Sequence, residues 1–155
     1  MLVKDIMSKY LYCCVPSDTA QAAAKTMKAQ GVGALPVVSD PTNRKLEGIV
    51  TDRDLCCSIV AGAKLAETTR IADVMTRNPV TCAGENTLED CEELMQKHQV
   101  RRLPVTDEQG RCIGVVAQAD IGLHGPAGSV AKMVAEISKP AVAKAWSPGR
   151  RSLDA

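Results

Sequence analysis

The chain has 155 residues and a formal net charge of +1, with 19 basic residues interspersed among 18 acidic ones. So balanced a field offers no electrostatic footprint for nucleic acid or an anionic membrane, and no Phe, two Tyr and one Trp leave little from which to build base-stacking platforms. The length suits one domain, no run approaches the ~20 apolar residues of a membrane span, and the N-terminus lacks a basic region followed by an apolar core; a soluble, cytoplasmic protein is expected.

The chain is written almost twice. Val3-Lys4-Asp5-Ile6-Met7 returns as Ile71-Ala72-Asp73-Val74-Met75, and Ala34-Leu35-Pro36-Val37 returns as Arg102-Leu103-Pro104-Val105, both 68 residues on. Gly48-Ile49-Val50-Thr51-Asp52-Arg53-Asp54 is answered by Gly114-Val115-Val116-Ala117-Gln118-Ala119-Asp120 at an offset of 66. A repeat this long exceeds a solenoid unit and falls short of an ordinary domain. Two such halves, each burying a face on the other, make one pseudo-symmetric domain with clefts between them.

In chain order, residues 11–15 read as an extended stretch. A helix follows, with Ala20, Ala23, Ala24 and Met27 at i, i+3, i+4, i+7; Asp18 and Gln21 have the spacing of a capping box, and Gly31 ends it. Strands are predicted at 35–38 and 46–50 around a turn at 39–43. A second helix starts at Thr51/Asp52 and carries Leu55, Ile59 and Val60. Residues 62–70 are a linker.

The second copy repeats the order. Residues 80–82 are extended, and a helix carries Leu88, Cys91, Leu94 and Met95 behind an Asn86/Glu89 box. Strands at 103–105 and 112–116 flank a turn at 107–110, where the two missing residues fall in a loop. A helix near Gln118 is soon stopped by the Gly and Pro of 122–126. Each unit is β-α-β-β-α, so the fold class is α/β (α+β): repeat 1 over 1–61, repeat 2 over 71–124. Residues 125–155 hold a further helix at 128–138 and, from Pro140 onward with Trp146, a mobile tail.

Seven cysteines, Cys13, Cys14, Cys56, Cys57, Cys82, Cys91 and Cys112, include two adjacent pairs and no Cys-x-x-Cys. They read as small reduced hydrophobes rather than a disulfide framework. Cys14 aligns with Cys82 in a core strand. A thiol or metal sensor built on Cys13, Cys14, Cys56 and Cys57 is the other reading.

The sharpest local feature is residues 48–54. A buried strand ends at Thr51, placed to cap the helix that follows. Asp54, one turn on, can accept two hydrogen bonds from a vicinal diol such as a ribose. A plain capping box, with Asp54 as its reciprocal member, is the other reading of the same residues. No Walker loop, catalytic triad or paired carboxylates accompany it, and no catalysis is expected.

The doubled unit, with a strand ending in Gly-h-h-Thr-x-x-Asp (h hydrophobic) and with Leu-Pro-Val ahead of each hairpin, resembles the CBS domain, named after cystathionine β-synthase. Two in tandem look like a Bateman module, and the resemblance covers residues 1 to about 124. It implies a regulatory sensor that binds AMP, ADP, ATP or S-adenosylmethionine in clefts between the halves, reports to an unknown regulated protein, and forms a homodimer. Carried over to this chain, Thr51 meets the ribose-phosphate and Asp54 the ribose hydroxyls. Cys13 to Val15 and Ala34-Leu35-Pro36 sandwich the purine. Arg101 and Arg102 reach the phosphates, where a planar fork matches oxygen pairs; Arg53 is a weaker candidate.

The second copy keeps Asp120 but has Ala117 in place of the threonine, and the first offers Gly33-Ala34 where the second has Arg101-Arg102. One intact and one degraded nucleotide site are therefore expected. A scaffold that has kept the fold without ligand is the alternative function. Nucleic-acid binding through Lys139, Lys144, Arg150 and Arg151 is a further rival, to which the neutral field gives no support.

Overall fold

The computed structural model describes residues 1–140. A short N-terminal helix, α1 (Val3–Ile6), leads through an irregular stretch to α2 (Ala20–Gln30), β1 (Ala34–Val38) and β2 (Leu46–Thr51). Helix α3 (Asp52–Leu55) runs on into a π-helical turn at Cys56–Val60. After a 3₁₀ turn at Ile71–Asp73 the pattern repeats: β3 (Thr76–Arg77), β4 (Cys82–Ala83), α4 (Leu88–His98), β5 (Arg102–Thr106), β6 (Cys112–Ala117) and α5 (Gln118–His124). A last helix, α6 (Ala127–Ile137), follows. Among these residues no helix is long and apolar enough to cross a membrane. The expected tail from Pro140 onward falls on residues 141–155, outside the described residues, as does Trp146.

Each half has its own sheet and its own core, yet neither is built from one repeat alone. In the first sheet β1 pairs antiparallel with β2, and β2 pairs antiparallel with β3, which belongs to the second repeat. In the second sheet β4 runs parallel to β5, β5 antiparallel to β6, and Ser8 of the first repeat bridges Val115 of β6. The exchange is symmetric. Val3 N donates to Asn86 O at 2.9 Å and Lys4 N to Gly84 O at 3.0 Å; Ile71 N donates to Asp18 O at 2.9 Å and Ala72 N to Pro16 O at 3.0 Å. Accordingly Val3 is buried with Cys82, Cys91, Met95 and Leu103, while Ile71 is buried with Cys14, Ala23, Met27 and Leu35.

Gly48 and Gly114 make this crossing possible. A Cβ on Gly48 would stand 2.7 Å from Thr76 O and 2.9 Å from Met75 Sδ; one on Gly114 would stand 2.7 Å from Met7 Sδ and 2.9 Å from Ser8 O. Only glycine lets the exchanged segment lie this close to the strand. The hairpin loops meet as well. Leu46 N donates to Gly110 O at 3.0 Å and Cys112 N to Arg44 O at 2.8 Å, which joins the two sheets at their turns. Hydrogen bonds from the backbone of Asn43 and of Arg111 hold the carboxyls of the turn residues Asp40 and Asp107 below the usual carboxylate range.

Several local expectations shift. Helix α2 is capped by Thr19, whose side chain accepts from Ala22 N, and α4 by Thr87 in a box with Asp90, each one residue beyond the expected caps. Asp18 and Asn86 instead close the preceding turns by accepting from Val15 N and Ala83 N. Gly31 does end α2, in the left-handed region at φ 64°. Ala24 is exposed, and the core face of α2 is Ala20, Ala23 and Met27. Val60 is exposed too, because the wider π turn, closed by Ala61 N to Cys56 O, moves it off the buried face. In the stretch 11–15 only Cys14 pairs, in parallel with Val37.

Helix α6 completes the second core through Met133 and Ile137. Glu92 of α4 is the one buried charged residue recorded among the described residues, and Ser129 Oγ of α6 donates to it at 3.0 Å.

Gly48→Ala should lower stability in urea unfolding by about 1–3 kcal/mol, because its methyl meets backbone rather than a yielding side chain. Gly128→Ala, in open space within α6, should raise it by roughly 0.5–1 kcal/mol.

Candidate functional site

The exchange leaves two clefts, one on each side of the pseudo-two-fold axis. The first, of about 570 Å³, lies within the range of small-molecule sites; the second is about 230 Å³. Their walls correspond residue by residue. Ile49, Thr51, Asp54, Gln99, Val100, Arg101, Arg102 and Pro104 line the first, and Val115, Ala117, Asp120, Gly31, Val32, Gly33, Ala34 and Pro36 line the second.

At the first cleft β2 delivers Thr51 to the start of α3. The Thr51 and Ala34 backbones are paired, and Asp52 N donates to Gly33 O at 3.1 Å, so the strand end and the helix start are fixed together. Asp54 N donates to Thr51 Oγ at 3.1 Å, and Asp54 Oδ2 accepts from Thr51 N at 2.9 Å. The capping box is therefore present. It consumes one carboxylate oxygen and one lone pair of the hydroxyl, leaving Asp54 Oδ1 and the Thr51 hydroxyl proton for a ligand. Across the cleft Arg101 and Arg102 stand at the start of β5, and Arg53 lies beside Asp54 on the near wall. Three arginines thus face two aspartates, Asp52 and Asp54, a balance that favours an anion.

At the second cleft Ala117 N donates to Asp120 Oδ2 at 2.7 Å, but Ala117 offers no oxygen to the amide of Asp120. Half of the box is missing.

The site residues predicted from sequence divide accordingly. Thr51, Arg53, Asp54, Arg101 and Arg102 come together in the first cleft; Asp120, Ala34 and Pro36 come together in the second. Cys13 and Val15 line neither, and Leu35 is fully buried in the first core. The reason is the exchange: with Thr76 paired to Ile49, the segment that walls the first cleft is Asn78, Pro79 and Val80 of the other repeat, together with Val100 and Pro104. His98, Gln99 and Ile137 at the ends of α4 and α6 also line it. Shifting the first-copy wall by the 68-residue offset recovers Arg102 and Pro104 from Ala34 and Pro36, whereas Cys13 to Val15 move to residues 81–83, just past Val80.

The cysteines remain apart from both clefts. Cys14, Cys82, Cys91 and Cys112 are buried, Cys13 is half-buried, and Cys56 and Cys57 are exposed. Burial pushes the Cys14 thiol up to about 12 and that of Cys112 up to about 11, so these thiols carry little thiolate. Among the described residues no three His, Cys, Asp or Glu side chains gather to hold a metal. Lys139 pairs with Glu136 at 2.6 Å; Lys144, Arg150 and Arg151 lie outside the described residues.

A protein-family model described as the CBS domain matches residues 3–60 and 71–121. CBS domain-containing protein YhcV of Bacillus subtilis is 37% identical over 122 residues, covering 79% of this chain and 84% of that one. The solved CBS domain pair of protein MJ0100, in complex with 5′-methylthioadenosine and S-adenosyl-L-methionine, matches with a TM-score of 0.71 at 30% identity over 79% of this chain and 94% of its own. CBSX2 of Arabidopsis thaliana, solved in complex with AMP, matches with a TM-score of 0.65 at 27% identity over 88% and 97%.

The asymmetry of the two boxes has a measurable consequence. Thr51→Ala should cost about 0.5–2 kcal/mol in chemical denaturation, and Ala117→Thr should gain a similar amount by capping the Asp120 amide.

Proposed function

The chain belongs to the CBS domain family, and from that premise we propose that it is a regulatory module whose first cleft binds an adenosine ligand carrying phosphate. The observation that carries this reading is the pairing, across one cleft, of a carboxylate oxygen without a partner among the described residues (Asp54 Oδ1) with Arg101 and Arg102. Asp54 accepts the ribose hydroxyls. The Thr51 hydroxyl and the guanidinium groups donate to the phosphate, the arginines in the paired geometry that suits it. Val80, Val100 and Pro104 offer apolar faces to the purine. That related CBS pairs were solved with AMP, or with S-adenosyl-L-methionine and 5′-methylthioadenosine, supports the ligand class. Among AMP, ADP and ATP the cleft prefers whichever places its phosphates between Thr51 and the two arginines.

The module acts by transmission rather than catalysis. Ligand bound between the halves changes the affinity for a partner protein only as far as its own affinity differs between the two states. We assign the assembly as a homodimer. Val60, Leu65 and Leu123 stand exposed and supply apolar area for a second copy. A fold kept as a scaffold, with no ligand, is the rival reading, and Ala117 is the residue that favours it.

Calorimetric titration with AMP separates the two. Asp54→Ala should weaken binding by about a hundredfold, the loss of two charge-assisted hydrogen bonds, while Asp120→Ala leaves it nearly unchanged. Equal losses in both variants would contradict the assignment to the first cleft.

A further inference from the structure

Arg102 belongs to both clefts. It lines the first beside Arg101 and the second beside Asp120. Its guanidinium lies over Gly33: Arg102 Nη2 stands 2.9 Å from the point a Cβ on Gly33 would occupy, and Asp52 Oδ2 stands 2.9 Å from the same point. Gly33 lines the second cleft and Asp52 the first, so the side chain crosses the ridge between them where the absence of a Cβ leaves room. Among the described residues Arg102 makes no ion pair, and it is half-buried. A guanidinium held there near the Asp52 carboxylate, but in no ion pair with it, gains from an anion that it can grip in pairs.

Among the described residues the second cleft has no other cation. Once Arg102 turns to the first cleft, the second is left with Asp120 as its one charged group, and a phosphate there would meet a carboxylate and no compensating charge. What remains suits a neutral nucleoside. Asp120 Oδ1 is left over from the backbone contact to accept ribose hydroxyls. Tyr10 and Tyr12, the chain's two tyrosines, present rings where the first cleft has Asn78 and Val80, and aromatic faces stack bases without regard to charge. The smaller volume, about 230 Å³, agrees with a ligand that lacks phosphates.

We propose that Arg102 is a cation shared by the two clefts, so that one phosphate-bearing ligand binds per chain, in the first cleft, while the second takes an uncharged nucleoside alongside it. This rests on the reading of the first cleft as a nucleotide site. It makes the second cleft a site of different chemistry rather than an eroded copy of the first. It also ties the two together, because a phosphate in the first cleft withdraws the cation that a phosphate in the second would need.

Calorimetry on the full chain, with AMP and adenosine as probes, tests this. AMP alone should saturate at one per chain, any second AMP binding at least about tenfold more weakly. The AMP-saturated protein should then take one adenosine, and Asp120→Ala should remove that adenosine while keeping the AMP. Ala34→Arg combined with Ala117→Thr gives the second cleft its own cation and cap, and should raise AMP to two per chain. Two AMP of equal affinity on the unaltered chain, or no adenosine on the AMP-saturated chain, would overturn the shared-cation proposal and leave the first-cleft reading standing. Absence of AMP binding altogether would overturn both. The measurements on the unaltered chain decide the matter even if the double variant does not fold.

Discussion

The clefts exist because one backbone passes over another at a distance that a single Cβ would forbid. Gly48 and Gly114 sit opposite the segments carrying Met75-Thr76 and Met7-Ser8, with carbonyl and sulfur atoms within 3 Å of where their Cβ atoms would be. Those segments come from the other repeat, so each sheet is finished by its neighbour and each core is closed by a foreign aliphatic side chain, Ile71 in one and Val3 in the other. A repeat that must borrow a strand edge and a core residue cannot bury its apolar face alone. The same exchange carries residues 78–80 across the end of β2 and residues 10–12 across the end of β6. Cleft and fold are products of one contact.

On this symmetric frame the chemistry has diverged. The strand ends are held alike, with Asp52 N bonded to Gly33 O and Gln118 N to Arg101 O, so a side chain changed at one end is presented in the geometry of the other. Thr51 against Ala117, and Arg101-Arg102 against Gly33-Ala34, then place the hydroxyl and Arg101 on one side, with Arg102 lining both clefts. Because the exchange pairs the first repeat's Thr51 and Asp54 with the second repeat's arginines, the two losses fall in the same cleft instead of impairing both. Helix α6, beyond the matched family region, adds to the imbalance by setting Ile137 at the first cleft alone. The carboxylates are divided too. Each Asp gives one oxygen to the backbone amide of its own strand end and keeps the other, so that capping and ligand recognition are compatible uses of one side chain.

Much of this was legible in the chain. The repeat, the hairpins and the strand-to-helix turn at Thr51 follow from local pattern and from its recurrence, and Cys14 and Cys82 do occupy matching buried strand positions. The helix caps were displaced by one residue because Asp18-Thr19 and Asn86-Thr87 are each two capping residues in a row, and spacing does not say which closes the turn and which caps the helix. Val60 leaves the buried face because the π turn at Cys56–Val60 breaks the 3.6-residue period that its spacing from Leu55 implies. Cys13, Val15 and Leu35, which the family resemblance assigns to the purine wall, lie outside both clefts because the exchange brings the other repeat's residues 78–80 there. Exchange is a long-range property with no local signature except the two glycines, whose bareness has a reason only once the opposing segment is in place. The contribution of Ile137 is likewise tertiary, a consequence of how α6 packs on α4.

Thermal unfolding with AMP, ADP, ATP, NADH, S-adenosylmethionine and a 2′-deoxyadenosine monophosphate control bears most directly on the claim that the first cleft is an adenosine site read by Asp54. A ligand at a hundred times its dissociation constant adds about 2.7 kcal/mol, worth several degrees in a chain of this size. The account predicts a rise with ribose-bearing adenosine phosphates and a distinctly smaller one with the deoxy control, which lacks one of the two hydroxyls that Asp54 accepts. An unchanged midpoint with every ligand, or an equal rise with the deoxy control, would contradict it.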